Sequence, residues 1–228
     1  KIIFEEIHND LQLTFRYQWN SSNLFGFVKK SEIINHSNTD YTITVLDGLQ
    51  NIMPQGVSSD LQSSTSDLVD AYKRNELHTE SGLGIYALSA IIVDKAEPSE
   101  ALKANVVWSL GVKNPTYLLS SKQLPAFRKL QKLENETDNK GEKGAYFISN
   151  ELFLPQNTSK DWKFIANVNQ DHSDIIAISE RIQNNKNITE DISNDIELGT
   201  KKLIEINASS DALQSTADNL RDTRHFSN

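Results

Sequence analysis

The sequence predicts a mainly β fold, an antiparallel β-sandwich with a helical segment at its C-terminal end. Three observations predict it. Residues 11 to 19, LQLTFRYQW, put Leu11, Leu13, Phe15, Tyr17 and Trp19 on one side and Gln12, Thr14, Arg16 and Gln18 on the other, the period-two pattern of a half-buried strand. Short apolar runs of this kind recur between polar turns through about residue 170, the spacing of a sandwich or barrel. Beyond Asp171 the texture changes: no Pro, Phe, Tyr or Trp occurs before Phe226, Gly199 is the only glycine, and apolar residues recur at helical spacing. The chain therefore divides into a β-sandwich domain over 1–170 and a helical linker or tail over 171–228.

The elements follow in order. KIIFEEI at the start is strand-like. After LQLTFRYQW, Asn20-Ser21-Ser22-Asn23 supplies a turn, and LFGFVKKSEII from Leu24 is a further strand. Asn35 to Asp40 is a second polar turn, and YTITVL from Tyr41 the next strand. Over 60–76, Leu61, Leu68, Val69 and Tyr72 fit one helical face, with Asp60 as N-cap. Strand patterns return in LGIYALSAIIV from Leu83, LKANVVWSLGV from Leu102, TYLLS from Thr116, AYFISNELFL from Ala145 and WKFIANV from Trp162. Leu124 to Leu133 reads as a short helix, and ENETDNKGEKG after it as the loop best suited to disorder. In the tail, Ile175, Ile178 and Ile182 share a face behind Ser173 as cap. Ile192, Ile196, Leu203, Ile206, Leu213 and Leu220 form a second stripe, the pattern of long amphipathic helices.

Size and charge bound the function. The 228 residues, 37% hydrophobic, are enough for one sizeable core, or for a domain plus an appendage. The formal net charge is −8 and basic residues come in scattered pairs such as Lys29-Lys30 and Lys201-Lys202; such a surface repels phosphate backbones and argues against nucleic acid. There is no cysteine, which excludes disulfides, thiolate metal sites and a cysteine nucleophile. No apolar run reaches the roughly 18 to 20 residues of a membrane span. The chain opens at Lys1 without an initiator Met, which points to a processed chain or a piece of a longer one.

The most informative stretch is VLDGLQNIMPQGV, Val45 to Val57. Asp-Gly between apolar residues is a hairpin signal, but Pro54 leaves the second arm short. The reading adopted ends the strand near Asp47 and takes Gly48 to Gly56 across the end of the sheet as a loop. Asp47, Gln50 and Asn51 then sit at a sandwich rim, where they either satisfy backbone groups or meet a polar ligand. Trp19, at a strand end beside NSSN, is the one aromatic free to face a sugar ring, with a place in the core as its other and favoured reading, whereas Tyr17, Trp108 and Trp162 read as core. Glu76, Glu80, Asp94, Glu97 and Glu100 gather near His78, yet nothing fixes two carboxylates at glycosidase separation. His8, His36, His78, His172 and His225 show no metal-ligand spacing, and no nucleophile-elbow, phosphate-loop or dinucleotide motif is present. No cofactor or metal is expected.

YQWNSSNLFGFVKKSEIIN (Tyr17 to Asn35), TVLDGLQNIMPQG (Thr44 to Gly56), DAYKRNE (Asp70 to Glu76) and the RHF near the end together resemble the front of a cellobiose-phosphorylase-type glycoside phosphorylase or hydrolase. The resemblance is one of texture and order across the chain, with no catalytic motif matched. It implies a super-sandwich similar to the galactose-mutarotase fold, then a helical linker, with a catalytic (α/α) barrel beyond this chain. It further implies a domain that shapes an oligosaccharide cleft and the contacts of a homo-oligomer.

Three functions follow as expectations. The first is a non-catalytic domain of a larger carbohydrate-active enzyme, with Trp19, Asp47, Gln50 and Asn51 lining a site that a C-terminal catalytic domain completes. The second is a mutarotase-like epimerase, with His78 and Glu80 or Glu97 converging on an anomeric centre from a concave sheet face. The third is an assembly module whose isoleucine and leucine stripe, Ile175 to Leu220, binds a partner.

Overall fold

The computed structural model describes residues 2–90 and 101–209. Its strands are β1 (Ile2–His8), β2 (Leu13–Ser22), β3 (Gly26–Asn35), β4 (Tyr41–Ile52), β5 (Lys73–His78), β6 (Leu83–Leu88), β7 (Ala104–Leu110), β8 (Thr116–Leu118), β9 (Asp138–Lys140), β10 (Gly144–Leu154) and β11 (Ser159–Gln170). The helices are α1 (Ser59–Ser64), α2 (Ser66–Tyr72), α3 (Leu124–Arg128), α4 (His172–Asn184) and α5 (Ile188–Ser209). The strands form an eight-stranded sheet, β1-β2-β3-β11-β7-β6-β5-β9, and a three-stranded sheet, β4-β10-β8, all antiparallel.

The small sheet closes on the middle of the large one. Tyr86, Val107, Trp162 and Phe164 of the large sheet pack against Tyr146, Ile148 and Leu152 of β10 and Ile43, Val45 and Leu49 of β4. The opposite face of the large sheet is covered by helices: Val28, Val106, Trp108 and Ile165 meet Ile188 and Ile192 of α5, with Ile175, Ile178 and Ile182 of α4 alongside. Each fully buried isoleucine there contributes about 1.5–3 kcal/mol. Coverage on both faces explains WKFIANV: Trp162, Phe164 and Ile165 in β11 are all buried, so a central strand reads as an apolar run rather than an alternation.

Local chemistry sets the helix starts. The Asp171 carboxylate accepts from the backbone N–H of Ser173 and Asp174, and Asp174 returns a bond to the Asp171 N–H, a capping box. Asp195 of α5, buried against the sheet, accepts from the Ser22 hydroxyl and, at 3.1 Å, from the Leu24 N–H. It thereby ties the helix to the β2–β3 turn. Burial pushes this carboxyl up, but the bonds from Ser22, Leu24 and Asn23 and the charge of Lys202 outweigh it, and its pKa lies below the ordinary carboxylate value.

Several expected boundaries move. β4 does not stop at Asp47; it runs to Ile52, and Gly48 pairs with Phe147 in mid-strand. Glycine is required there because a Cβ would stand against the Tyr146 carbonyl oxygen and 2.7 Å from Phe147 Cα. The helical stretch expected over 60–76 is two short helices, the first capped by Ser58 rather than Asp60 and the second starting after Thr65 with no side-chain cap, and Lys73 to His78 is a strand. The helix expected to Leu133 ends at Arg128. ENETDNKGEKG is ordered by its own polar side chains: Glu136 accepts from Leu119 N–H at 2.8 Å and from Asn139 at 2.7 Å, Asn135 accepts from Tyr117 N–H at 2.7 Å, and β9 pairs with β5. Asp171, not Ser173, caps α4. The patterns at 91–93 and 210–228 and the carboxylates Asp94, Glu97 and Glu100 lie outside the described residues.

Candidate functional site

β4 is an edge of the small sheet, and its odd-numbered residues from Ile43 to Leu49 face the large one. Asp47 falls on that inward side. One carboxylate oxygen accepts from Lys29 Nζ at 2.5 Å and from Gly48 N–H at 2.8 Å; the other accepts from Trp162 Nε1 at 2.8 Å. Lys29 also donates to the Gly48 carbonyl at 3.2 Å, and its ammonium sits 5.1 Å from the Tyr17 ring centre and 5.3 Å from that of Phe164. The Lys29 and Asp47 side chains are 9% and 12% exposed. A buried ion pair with every near donor satisfied is a strut between the sheets, because the charges are paired and hydrogen-bonded where water is scarce.

Beside this strut the large sheet extends past β4. The inner face of β1 and β2 carries Ile2, Phe4, Tyr17 and Trp19, and β3 adds Phe27. Trp19 is 40% exposed and Phe27 54%, while Trp108 and Trp162 are 2% exposed. Phe4 stacks on Tyr17 with ring centres 4.8 Å apart, and Phe15 carries the aromatic run inward to Trp162. Trp19 lies directly opposite Ile2 on one side and Lys29 on the other. The result is an aromatic ledge, open to solvent, whose inner end is the Lys29–Asp47 pair. Trp19 and Asp47 thus belong to one neighbourhood through Lys29.

Gln50 and Asn51 lie farther along β4. Gln50 points away from the interior and donates to the Ser121 hydroxyl at 2.9 Å. Asn51 is the extra residue of a β-bulge opposite Gly144 and Ala145, in left-handed conformation with φ 57°, a geometry asparagine tolerates. Sequence reasoning did not single out Lys29 or Phe27 for the site. The signal was there: Lys29 falls on the same side of its strand as Phe27 and Ile33, and Asp47 on the same side as Val45 and Leu49. Opposite charges on two apolar faces that must pack together have to find each other.

The middle of the inner face is filled by side chains of both sheets. Burial pushes the Tyr86 and Tyr146 hydroxyls well above the ordinary tyrosine pKa, so they stay protonated and donate to Ala145 O at 2.7 Å and Gly82 O at 2.6 Å. His78 lies on the other face of the large sheet, where its Nδ1 meets Ser81 Oγ at 2.8 Å and Ser179 Oγ of α4 at 3.3 Å. Glu76 pairs with Arg74 at 2.9 Å. No helix among the described residues is long and apolar enough to cross a membrane.

No family model matches the chain, and neither does any curated protein.

Proposed function

We propose that this chain is a non-catalytic β-sandwich module of a larger carbohydrate-active enzyme, and that the aromatic ledge forms one wall of its saccharide site. The observation that carries the reading is Trp19, the single exposed tryptophan, standing with Phe27, Ile2 and Phe4 on the part of the inner sheet face that the small sheet leaves open. A flat indole beside apolar rings suits the C–H face of a sugar, and polar groups at the rim suit its hydroxyls. Gln50 and Asn51 stand apart from the ledge, Gln50 on the outer face bonded to Ser121 and Asn51 in the bulge of β4, whereas Asp47 acts at one remove, holding Lys29 and β4 in place. The epimerase alternative finds less support, because His78 sits under α4 and not on the inner face.

The assembly alternative has a specific observation in its favour. The stripe that buries Ile188, Ile192 and Ile196 on the sheet continues along α5 as Leu203 and Ile206, which are 59% and 65% exposed. Burial of the first half on the same chain makes α5 a docked helix, with only its last turns offered to a partner.

Intrinsic fluorescence tests the ledge. Because the other two tryptophans are buried, emission that responds to glucose, cellobiose or xylose reports Trp19. Trp19→Ala is expected to weaken binding about tenfold, the scale of one lost aromatic contact. No response to any of these sugars removes the ledge from saccharide recognition.

A further inference from the structure

The outer face of the small sheet carries a groove of about 370 Å³, at the small end of the roughly 300–1,000 Å³ range of ligand clefts. Its floor is a row of short polar side chains across three strands. Thr44 of β4 is paired with Glu151 of β10, and Ser149 of β10 with Thr116 of β8. Phe127 and Leu130, from α3 and the turn after it, form the wall, with Gln131 and Lys132 at the rim.

Two independent features mark the groove. First, none of the side chains of Thr44, Thr116, Ser149, Glu151, Gln131 or Lys132 makes a hydrogen bond or ion pair within the described residues. Of these six lining residues Ser149 is buried, Thr116 half-buried and the other four exposed, while Asn150 beside them is bonded to the Lys113 carbonyl and the Glu151 N–H. Second, Leu130 has φ 55° and is 89% exposed. It occupies the left-handed position that ends α3: its N–H reaches Phe127 O at 2.9 Å, while Gln131 N–H reaches Ala126 O at 3.0 Å. Glycine or asparagine is usual there, and leucine is unfavourable both in conformation and in exposure. A strained, solvent-facing leucine at the mouth of a polar groove has a purpose if something apolar lies against it.

We propose that this groove is a binding subsite for one neutral, hydroxyl-rich ring, a monosaccharide unit, separate from the Trp19 ledge. The single Glu151 and single Lys132 leave no net charge, which disfavours phosphorylated or acidic ligands. Hydroxyls on the floor both donate and accept, Glu151 accepts and Lys132 donates, as a ring of hydroxyls requires. Leu130 and Phe127 take its C–H face. The inference stands on the groove's own residues and does not depend on the ledge.

The test is an amide-shift titration of the isotope-labelled full chain with D-glucose, D-xylose and cellobiose, with inorganic phosphate as the charged control. Saccharide is expected to move the amides of Thr116, Leu130 and Ser149, and phosphate is not. Leu130→Gly is expected to weaken that response about fivefold by removing an apolar contact, while raising Tm by about 2 °C through relief of the left-handed strain. Thr44→Trp fills the groove from an exposed strand position and is expected to abolish the groove response while leaving that of the Trp19 indole. Groove amides that never move with saccharide overturn the proposal. So does Leu130→Gly that lowers Tm and leaves affinity unchanged, the behaviour of a purely structural residue. Loss of the ledge response alone leaves the groove standing.

Discussion

Asp47→Ala removes the acceptor shared by Lys29, Trp162 and Gly48. It leaves an ammonium about nine-tenths buried without its counter-charge and an indole N–H without its acceptor. Breaking a buried pair from one side costs about 3–5 kcal/mol, and an orphaned neutral donor about 1–3. These overlap, and the Tyr17 and Phe164 rings around Lys29 offset part of the lost attraction. The expected cost is therefore about 3–5 kcal/mol in all. With an m-value of about 3 kcal/mol/M in urea, the unfolding midpoint falls by about 1–1.7 M. Asp47→Asn, which keeps an acceptor for Trp162 and loses only the charge, falls less. Replacing both partners, Lys29→Met with Asp47→Leu, recovers most of the loss, because two apolar groups need no partner; the cycle then shows a coupling of at least about 2 kcal/mol. If Asp47→Ala costs under about 1 kcal/mol, Asp47 does not hold the sheets together and its oxygens are not committed to Lys29, Gly48 and Trp162.

Gly48→Ala forces a methyl against the Tyr146 carbonyl and Phe147 Cα, and urea unfolding should show a loss of about 3 kcal/mol; a change within about 0.5 contradicts the close β4–β10 approach. Asp195→Asn removes a carboxylate whose folded pKa lies below its ordinary 3.8. Such a group stabilises the fold at neutral pH and loses that contribution as pH falls through the folded value. The variant should be less stable by about 1–3 kcal/mol near pH 7 and lose less than the parent chain on acidification below about pH 4, read by Tm against pH. Identical pH profiles for the two proteins would refute the role given to Asp195.

The β-sandwich and the switch to helix after residue 170 were legible because they rest on period. LQLTFRYQW alternates, and its residues from Leu13 form β2, with Phe15 packed against the core and Trp19 left exposed. The tail isoleucines Ile175, Ile178, Ile182, Ile192 and Ile196 repeat at helical spacing, and they lie on the sheet. What was not legible depends on pairings distant in sequence. Asp47-Gly48 carries the local signature of a turn, yet β10 runs beside it and the glycine serves close approach instead. The polarity of ENETDNKGEKG reads as disorder until Glu136 and Asn135 meet the backbone of Leu119 and Tyr117. In the candidate site, Trp19 is not at a strand end as its neighbour NSSN suggested: β2 runs on to Ser22, and Asn20, Ser21 and Ser22 pair with β3. Lys29 is easily passed over, because a lysine pair in a strand usually means solvent, and its signal emerges only when the apolar faces of β3 and β4 are set against each other with Asp47 opposite. The groove beneath Leu130 was invisible, since it is made by three strands and a turn that sequence spacing does not bring together.

The most direct test follows the indole N–H signals of the three tryptophans by NMR during a saccharide titration. Trp162 is bonded to Asp47 and Trp108 is enclosed beneath the helices, so the account predicts that the Trp19 signal moves and saturates while the other two stay. A Trp19 signal that stays fixed at saturating saccharide, or movement confined to the buried pair, contradicts it.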